Sequence, residues 1–290
     1  MHNAVTRDIS YASSAKTRNG RAVIRMVENM TGRVGLIRRA AGYEREVAAG
    51  RDFWQVMPAR YGIGLDIFRG CLDDIPRTGP LILVANHPYG ILDGVIMGQI
   101  LSGLRGDFRI LAHRVFRRAE AIGKVILPIS FDETEEATRL NLETRSRALS
   151  YLSEGGAIGV FPGGTVSTAA KPFAQAFDPV WRNFTARMVT KSGATVVPIY
   201  FEGQNSRLFQ IASHLHSTLR MALLIREFRA RLDEPVRLAI GAPIAAGEIS
   251  ARRGDPRGLM TYLRQQTYAL AGKPDGVDRF GYEFEDRYRA

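Results

Sequence analysis

The sequence predicts an α/β fold in which a largely parallel central sheet is flanked by helices. Short apolar runs of strand length alternate with longer segments of helical length along most of the chain, as in successive βαβ units. The chain has 290 residues, of which 45% are hydrophobic and 24% charged, so a single domain can bury a substantial core. No repeat or low-complexity tract interrupts the alternation.

The chain is predicted to begin with a tail and a basic amphipathic helix over residues 1–50, before one α/β domain over residues 51–272 and a C-terminal tail over residues 273–290. Residues 1–20 are polar. Between Arg21 and about Ala41, apolar residues recur at the spacing of one helical face, and they are Val23, Val27, Met30, Val34 and Ile37. The opposite face carries Arg21, Arg25 and Arg39.

This helix has two possible positions. A basic amphipathic helix can lie in an anionic membrane interface, or it can dock on its own domain, and the two do not exclude each other. Gly32 and Gly35 each cost a helix roughly 0.8–1 kcal/mol relative to alanine, so we expect a break near them.

The elements of the first half of the domain follow from apolar runs and turn residues. Gly79 and Pro80 open the first predicted strand, and its apolar run indicates a buried position. In chain order the predictions are the strand "GPLILVANH", the helix "GILDGVIMGQILSGL", the strand "DFRILAH", the short helix "RVFRRAEAIG" and the strand "KVILPISF".

The second half continues the same alternation. A long helix is predicted from Glu133 to about Glu154. It precedes the strand and turn "AIGVFPGG", the helix "FTARMVTKSG", the strand "ATVVPIYFEG", the helix "STLRMALLIREFRAR" and the strand "VRLAIGAPI". In the last of these helices Arg220, Arg229 and Arg231 flank an apolar stripe. We expect the stripe to pack in the core and the arginines to extend outward into solvent; a surface for lipid or an acidic carrier protein is the alternative.

Charge and cysteine content limit the possible partners. The formal net charge of +11 favours anionic partners such as nucleic acid, anionic lipid or an acidic carrier protein. We expect no nucleic-acid binding, because zinc-finger spacing, RNP-type aromatics and a basic region with heptads are absent. The single cysteine, Cys71, allows neither an intrachain disulfide nor a multi-cysteine metal site. With no secretory signal and no run of ~18 apolar residues, we expect a cytoplasmic protein with only peripheral membrane contact.

The stretch "NHPYGILDG" contains the first candidate for chemistry. His87 follows a predicted strand, at the edge of a parallel sheet where ligands bind, and Asp93 lies six positions further on. An imidazole has an unperturbed pKa of ~6.5 and can accept a proton from a hydroxyl, and a carboxylate on its other nitrogen would orient the ring. Alternatively, His87 satisfies backbone groups at the strand end and Asp93 caps the next helix.

Three motifs in order resemble those of the glycerolipid and lysophospholipid acyltransferases, the phosphate-acyltransferase superfamily. "ANHPYGILDG" resembles the first motif of that family, "GVFPGGTVS" the third and "VVPIY" the fourth. The resemblance covers about residues 70–245. The His-Pro-x-Gly-x-x-Asp-Gly pattern is similar to that of a bacterial branch often called haemolysin-like. The resemblance implies that His87 is the general base and that Asp93 supports it.

The chain departs from the family pattern at three points. Five residues separate His87 from Asp93 where four are usual, and Gly90 can absorb the extra residue in a turn. Gly163 stands where the family usually has glutamate, so that carboxylate is missing. An arginine that usually follows the apolar strand of the second motif is also missing from "KVILPISFDE".

The resemblance also implies where substrate binds. Backbone N–H groups of the turn at Gly163 and Gly164 can face an anion, beside the hydroxyls of Thr165 and Ser167; an ordinary strand-to-loop turn is the alternative. Basic residues upstream of the second motif can replace its missing arginine or form a solvated helix face. The remaining predicted binding residues are Asn86, Arg114 and, in a polar loop after the fourth motif, Arg207.

The predicted function is acyl transfer from acyl-CoA or acyl-acyl carrier protein to the hydroxyl of a lysolipid, such as lysophosphatidic acid or another lysophospholipid, at the inner face of the cell membrane. There are two alternatives. The acceptor could be lyso-ornithine lipid, or the protein could be a family member that binds lipid without catalysis. No cofactor is expected beyond the acyl donor. His214 and His216 lack a nearby set of carboxylate or thiol ligands, so no metal site is expected. A serine hydrolase is disfavoured because no Gly-x-Ser-x-Gly sequence occurs.

Overall fold

A seven-stranded sheet forms the centre of the molecule. The structure is a computed structural model that describes residues 10–12, 15, 17–113, 120–130, 132, 134–273 and 276–284. The strands are β1 (Leu65–Arg69), β2 (Leu81–Ala85), β3 (Arg109–His113), β4 (Ile126–Ile129), β5 (Ala157–Val160), β6 (Thr168–Ala169), β7 (Ala176–Phe177), β8 (Thr195–Phe201) and β9 (Val236–Ile240). Strands β6 and β7 form a separate antiparallel hairpin.

Helices connect the strands, and several begin at a side-chain cap. For example, the side chains of Thr134, Ser206 and Asp255 each accept a backbone N–H in the first turn of the helix that follows. The helices are α1 (Arg18–Thr31), α2 (Arg33–Ala40), α3 (Tyr43–Ala48), α4 (Phe53–Arg60), α5 (Ile91–Arg105), α6 (Glu120–Gly123), α7 (Glu135–Ser153), α8 (Asn183–Ser192), α9 (Arg207–Leu215), α10 (Ser217–Arg229), α11 (Ala246–Ser250) and α12 (Pro256–Ala269).

The sheet is mostly parallel, as the sequence predicts. Its strand order is β1-β9-β8-β2-β5-β3-β4. Only β9 pairs antiparallel with its neighbour β8; the other pairings between its described strands are parallel. Strand β2 therefore lies between β8 and β5, and all three end at the same edge of the sheet. That edge is where the predicted catalytic loop begins.

The apolar core lies on both faces of the sheet. Along β2, Leu81 and Leu83 point to one face, where they join residues of α1, α4, α5 and α10. Ile82 and Val84 point to the other face, where α7, α8 and α12 pack. Successive side chains of a strand alternate between faces, so a continuous apolar run such as "LILVA" requires helices on both sides. The α/β class with flanking helices is confirmed.

The N-terminal helical segment docks on the domain through a face other than the predicted one. Ile24 and Leu36 are fully buried, whereas Met26 is 64% exposed and Met30 is 73% exposed. The expected break occurs at Gly32, which has φ of +132° and separates α1 from α2. Residues of both helices belong to the main core cluster.

The sequence did not predict several edge elements. Strand β1 has the sequence "LDIFR" and is only half-buried, so it lacks the continuous apolar run that marks the central strands. The β6–β7 hairpin has two residues in each strand, which is too short for a periodic signal. Helices α3, α4, α9, α11 and α12 were also missed. Most of the predicted helix "RVFRRAEAIG" lies outside the described residues.

The C-terminal segment over residues 276–284 packs against the domain. Tyr282 N–H donates to Thr168 O at 3.0 Å, and Gly281 N–H donates to Asp178 O at 2.9 Å. Glu283 accepts two hydrogen bonds from Arg182, at 2.8 and 2.7 Å. The segment thus lies against the β6–β7 hairpin, beside the predicted third motif.

Candidate active site

His87 lies two residues beyond the end of β2, held by its backbone. Its N–H donates to Oδ1 of Asp178 at 3.1 Å, and its carbonyl accepts the Ser167 N–H at 2.7 Å. Its ring stacks on Phe161, with centroids 4.2 Å apart. The imidazole therefore has a fixed position at the carboxyl edge of the sheet, where α/β proteins bind ligands.

The turn between His87 and Asp93 brings the two side chains together. Nδ1 of His87 is 2.9 Å from Oδ2 of Asp93. Oδ2 also accepts the N–H groups of Tyr89, at 2.8 Å, and Gly90, at 3.0 Å. Gly90 has φ of +79°, a region that side chains other than glycine rarely enter. The five-residue spacer thus closes because a glycine reverses the chain inside it.

The His87–Asp93 contact is close but bent. The ring N–H is not directed at Oδ2, and neither His87 Nδ1 nor Asp93 Oδ1 has another hydrogen-bond partner among the described residues. Catalytic hydrogen bonds are often poorly aligned until substrate binds. Asp93 is fully buried; burial raises the pKa of its carboxyl, while His87 and the two backbone N–H groups oppose this rise. With Nδ1 facing Asp93, Nε2 is the ring nitrogen left for substrate.

A cavity of about 1400 Å³ opens beside His87. Most of its wall is apolar and comes from β3, β4, α5 and α10. The polar lining residues include His87, Thr165 and Arg220, and also His113, Asp132 and the α7 residues Glu136, Arg139 and Glu143. The cavity exceeds the roughly 300–1,000 Å³ of a typical small-ligand pocket. Its size and lining suit a long apolar substrate with a reacting polar end.

The third-motif turn contributes some of its predicted residues to this cavity. Gly164 and Thr165 line the wall, but Gly163 does not. The Gly164 N–H is already donated to Phe161 O at 3.0 Å, so it is not available to an anion. The backbone N–H groups of Thr165 and Val166 donate no hydrogen bond within the described part of the chain. These two groups are the available donors on this loop.

Asn86 and Ser167 brace the site and do not line the cavity. The Asn86 side chain accepts the Phe201 N–H at 2.7 Å and donates to Phe201 O at 2.9 Å, which ties the catalytic loop to the end of β8. The Ser167 hydroxyl donates to Oδ1 of Asp178. Both side chains are buried and fully occupied by protein partners.

Asp178 is a site residue that the sequence reasoning missed. Its carboxylate is fully buried and accepts the His87 N–H, the Ser167 hydroxyl and, at 2.8 Å, Nε1 of Trp181. It also occupies the space beside Gly163, since a Cβ there would lie 3.2 Å from Asp178 Oδ2. A buried carboxylate therefore stands next to the position where the motif lacks its glutamate. Nothing near Asp178 in the sequence marks it.

Other predicted residues lie elsewhere. Arg207 is exposed at the first residue of α9 and does not line the cavity. Arg114 lies outside the described residues. His214 contacts Ala169 O through Nε2 at 2.9 Å, and His216 caps α10 by accepting the Thr218 N–H.

Arg220 overturns the expectation for α10. The arginines of this helix were expected to extend outward, yet Arg220 is buried and lines the cavity. A signal was present in the sequence: Arg220 lies four and eight residues before Leu224 and Phe228, so it belongs to the same helical face.

The region that contains the three motifs is similar to known proteins. The family model described as Acyltransferase matches residues 33–276. A lyso-glycine lipid O-acyltransferase of Phocaeicola vulgatus is 27% identical over 209 residues, which cover 63% of this chain and 70% of that protein. The crystal structure of the 1-acyl-sn-glycerophosphate acyltransferase PlsC from Thermotoga maritima is 16% identical, with a TM-score of 0.47, and covers 90% of this chain and 86% of that one. The family match spans most of the chain and includes all three motifs, so we conclude that this protein belongs to the acyltransferase family.

Proposed function

We propose that this acyltransferase moves a fatty acyl group from a thioester donor, acyl-CoA or acyl-acyl carrier protein, to the hydroxyl of a lysolipid. The observation that carries the proposal is the His87–Asp93 pair, whose histidine lines a large and mostly apolar cavity. A base is needed because a neutral hydroxyl attacks a thioester slowly, and an apolar cavity is needed because both substrates carry fatty chains.

In the proposed reaction, Nε2 of His87 takes the proton of the acceptor hydroxyl as its oxygen attacks the thioester carbonyl. Asp93 stabilises the imidazolium that forms. The tetrahedral intermediate then expels the thiolate, which recovers the proton from His87. The products are an ester and a free thiol, and no covalent acyl-enzyme is required.

The negative charge that develops on the carbonyl oxygen needs donors that are already in place. The Thr165 and Val166 N–H groups are the candidates, since they make no other hydrogen bond within the described ranges and both residues line the cavity. One such donor typically contributes ~10²–10³ in rate.

The simplest test is a pair of substitutions at the proposed base and its partner. His87→Ala should lower the turnover number by ~10²–10⁴, the usual contribution of a positioned base. Asp93→Asn should lower turnover with little change in KM for the acceptor. Wild-type transfer by purified His87→Ala, on every acceptor that the native protein uses, would show that His87 is not the base.

The acceptor headgroup is a separate question. The relative from Phocaeicola vulgatus is named a lyso-glycine lipid O-acyltransferase, which favours a lysolipid with an amino-acid headgroup as a second candidate beside lysophosphatidic acid and other lysophospholipids. Lyso-ornithine lipid belongs to the same class. Mass spectrometry of products, with acyl-CoA and acyl-carrier donors crossed against these acceptors, distinguishes them. No product from any pair would support a lipid-binding protein without catalysis.

We also propose that the protein works on the inner face of the cell membrane. Docking of α1 leaves Val23, Met26 and Met30 exposed as an apolar stripe on one side of the helix. Arg21 and Arg25 are exposed on the same helix, and the chain carries a net charge of +11. Apolar side chains with neighbouring arginines favour an anionic lipid interface. No helix of the described segments is long and apolar enough to cross a membrane.

A further inference from the structure

Arg220 is a buried cation on the wall of the cavity that contains His87. Its side chain is on the inward face of α10, and the residue is 5% exposed. The helix also touches the catalytic turn: a Cβ at Gly90 would lie 3.4 Å from Leu224, one turn beyond Arg220, and 3.2 Å from Val166. Arg220 is therefore close to the site of chemistry while belonging to none of the three motifs.

The guanidinium makes four hydrogen bonds, all to uncharged acceptors. Nη1 donates to the hydroxyls of Thr168 and, at 3.0 Å, Ser213. Nη2 donates to the Thr165 hydroxyl at 3.0 Å and to Val166 O at 2.7 Å. The rings of Phe209 and Phe284 flank it, with centroids 5.0 and 4.4 Å from Cζ. The group is held in one orientation, but its charge is not neutralised by these contacts.

No carboxylate among the described residues forms an ion pair with Arg220. Buried charges in proteins are normally paired, because removing an ion from water is costly. Arg182 with Glu283 and Arg60 with Glu46 follow that rule. Arg264 is also buried without an ion pair among the described residues, but it donates to three backbone carbonyls and does not line the cavity. Burial also lowers the pKa of the Arg220 guanidinium to about 9. A charge of this kind next to a substrate cavity is suited to an anionic ligand.

The Thr165 hydroxyl adds a second free donor at this place. Thr168 and Ser213 donate their own protons to Val166 O and Phe209 O. The Thr165 hydroxyl oxygen accepts a hydrogen bond from Arg220, but its O–H has no acceptor within the described part of the chain. A hydroxyl can accept and donate at the same time, so the Thr165 hydroxyl can donate a hydrogen bond to a ligand that lies against Arg220.

We propose that Arg220, together with the Thr165 hydroxyl, binds the negatively charged headgroup of the acceptor lysolipid and so determines its specificity. The inference rests on the proposed function. The shared chemistry of the ligand is a phosphate monoester or a carboxylate, either of which can replace the missing counter-charge. An acceptor held there presents its hydroxyl to His87, because the two residues line one cavity.

The test compares charged and neutral acceptors that are otherwise alike. The charged pair is lysophosphatidic acid and lyso-glycine lipid; the neutral counterparts are monoacylglycerol and the methyl ester of lyso-glycine lipid. Arg220→Gln should raise KM for both charged acceptors by about 10- to 100-fold, the loss expected for charge-assisted hydrogen bonds, and should change kcat/KM for the neutral acceptors less than about threefold. Arg220→Lys should fall between wild type and Arg220→Gln, since lysine keeps the charge but not the planar fork.

Arg226→Gln is the matched control. Arg226 is on the same helix, is 40% exposed and pairs with Glu227 outside the cavity, so its substitution should leave both acceptor classes unchanged. If Arg220→Gln does not fold, Thr165→Val offers the same comparison with Arg220 retained. A greater loss for the charged acceptors than for the neutral ones supports the proposal.

The contradicting outcomes are distinct. An equal loss on charged and neutral acceptors, in either Arg220→Gln or Thr165→Val, would show that Arg220 only braces the third-motif loop, and the proposed function would stand. A wild-type protein that acylates none of the four acceptors would contradict the proposed function and this inference with it.

Discussion

At the residue scale, Asp93 is the part of the proposed mechanism that lowers stability. It is a fully buried carboxylate whose pKa is raised, chiefly by burial. A group of this kind weakens folding at neutral pH, because the unfolded chain can ionise it at lower free energy. In the proposed mechanism this ionised carboxylate orients His87 and stabilises its imidazolium.

Asp93→Asn should therefore raise the melting temperature at neutral pH while lowering turnover. Between the ordinary carboxyl pKa and the raised one, the folded wild type holds more protons than the unfolded chain, so its stability falls as pH rises. Asparagine does not titrate, and its carbonyl can still accept the N–H groups of Tyr89 and Gly90. Melting curves followed by circular dichroism should give a higher melting temperature for Asp93→Asn than for wild type. The difference between the two melting temperatures should narrow as pH falls toward about 4.

The control for this prediction is Asp73→Asn, an exposed carboxylate in a surface pair with Arg77, which should not raise the melting temperature. A lower melting temperature for Asp93→Asn at neutral pH would mean that its ionised form stabilises the native state.

We propose that Asp178 is a positioning residue, which acts on the reaction through its hydrogen bond with the His87 N–H. Asp178→Asn keeps the volume but replaces one acceptor oxygen by a donor, so one of its contacts with His87, Ser167 and Trp181 must break. We expect kcat to fall about tenfold, which corresponds to ~1.4 kcal/mol, with KM nearly unchanged. Steady-state kinetics of Asp178→Asn would check this prediction. The control is Asp278→Asn, because Asp278 is an exposed aspartate on the C-terminal segment. A wild-type kcat would exclude a positioning role.

At the element scale, the contact between α4 and α5 shapes the apolar part of the cavity. Trp54 of α4 lies against Gly98 of α5, where a Cβ would be only 2.0 Å from the indole ring. One turn earlier, Gly94 lines the cavity and has open space where a side chain would be. The glycines on one face of α5 thus leave open space in the cavity near Trp54, and we propose that the acyl chain lies there.

Gly94→Leu should shift acyl preference to shorter chains, and Trp54→Ala should allow longer ones. The leucine fills part of the cavity, while loss of the indole enlarges it; Trp54→Ala should also destabilise the core by about 3–5 kcal/mol. Competition between acyl donors of different length, with products measured by mass spectrometry, tests both. Gly103→Leu, on the same helix but outside the cavity, is the control. Unchanged chain-length preference in both variants would place the acyl chain elsewhere.

The helix α1 has two apolar faces, and only one is used in folding. Ile24 is fully buried, and Glu28 is buried while accepting the Tyr11 N–H and the Ser10 hydroxyl. The stripe of Val23, Met26 and Met30 remains outside. Exposed residues of this size on one helix face mark an interaction surface.

The double variant Met26→Asp with Met30→Asp should weaken binding to anionic vesicles by at least tenfold without changing the melting temperature, because both side chains are exposed in the fold. Cosedimentation with phosphatidylglycerol-containing vesicles measures it. Leu142→Asp, an exposed leucine on α7, should bind as wild type does. Equal binding by the double variant would refute this surface.

At the scale of the whole molecule, residues far apart in the chain close around the third-motif loop. The C-terminal segment contributes Glu283, whose pair with Arg182 is largely buried, and Phe284, which flanks Arg220. Residues that precede α1 contribute Tyr11, which lines the cavity. The site therefore depends on both ends of the described chain.

Glu283→Gln should lower the free energy of unfolding by about 3–5 kcal/mol, since it removes one charge of a largely buried ion pair. Glu234→Gln is the comparison: its pair with Arg231 is exposed and 3.6 Å long, so its loss should be below about 1 kcal/mol. Urea denaturation of the two variants beside wild type gives both values. If both variants lowered the free energy of unfolding by the same small amount, the contacts of the C-terminal segment would contribute little to stability.

The sequence by itself determined the central strands, the long helices and the His87–Asp93 loop. These are local signals: an apolar run, a helical period and a glycine turn act over fewer than about 20 residues. Only the tertiary structure decided which face of α1 docks and that β9 runs antiparallel to β8. It also brought Asp178 to His87 across 91 positions and Arg220 to Thr165 across 55. Such contacts depend on how elements pack, and no periodicity along the chain encodes them.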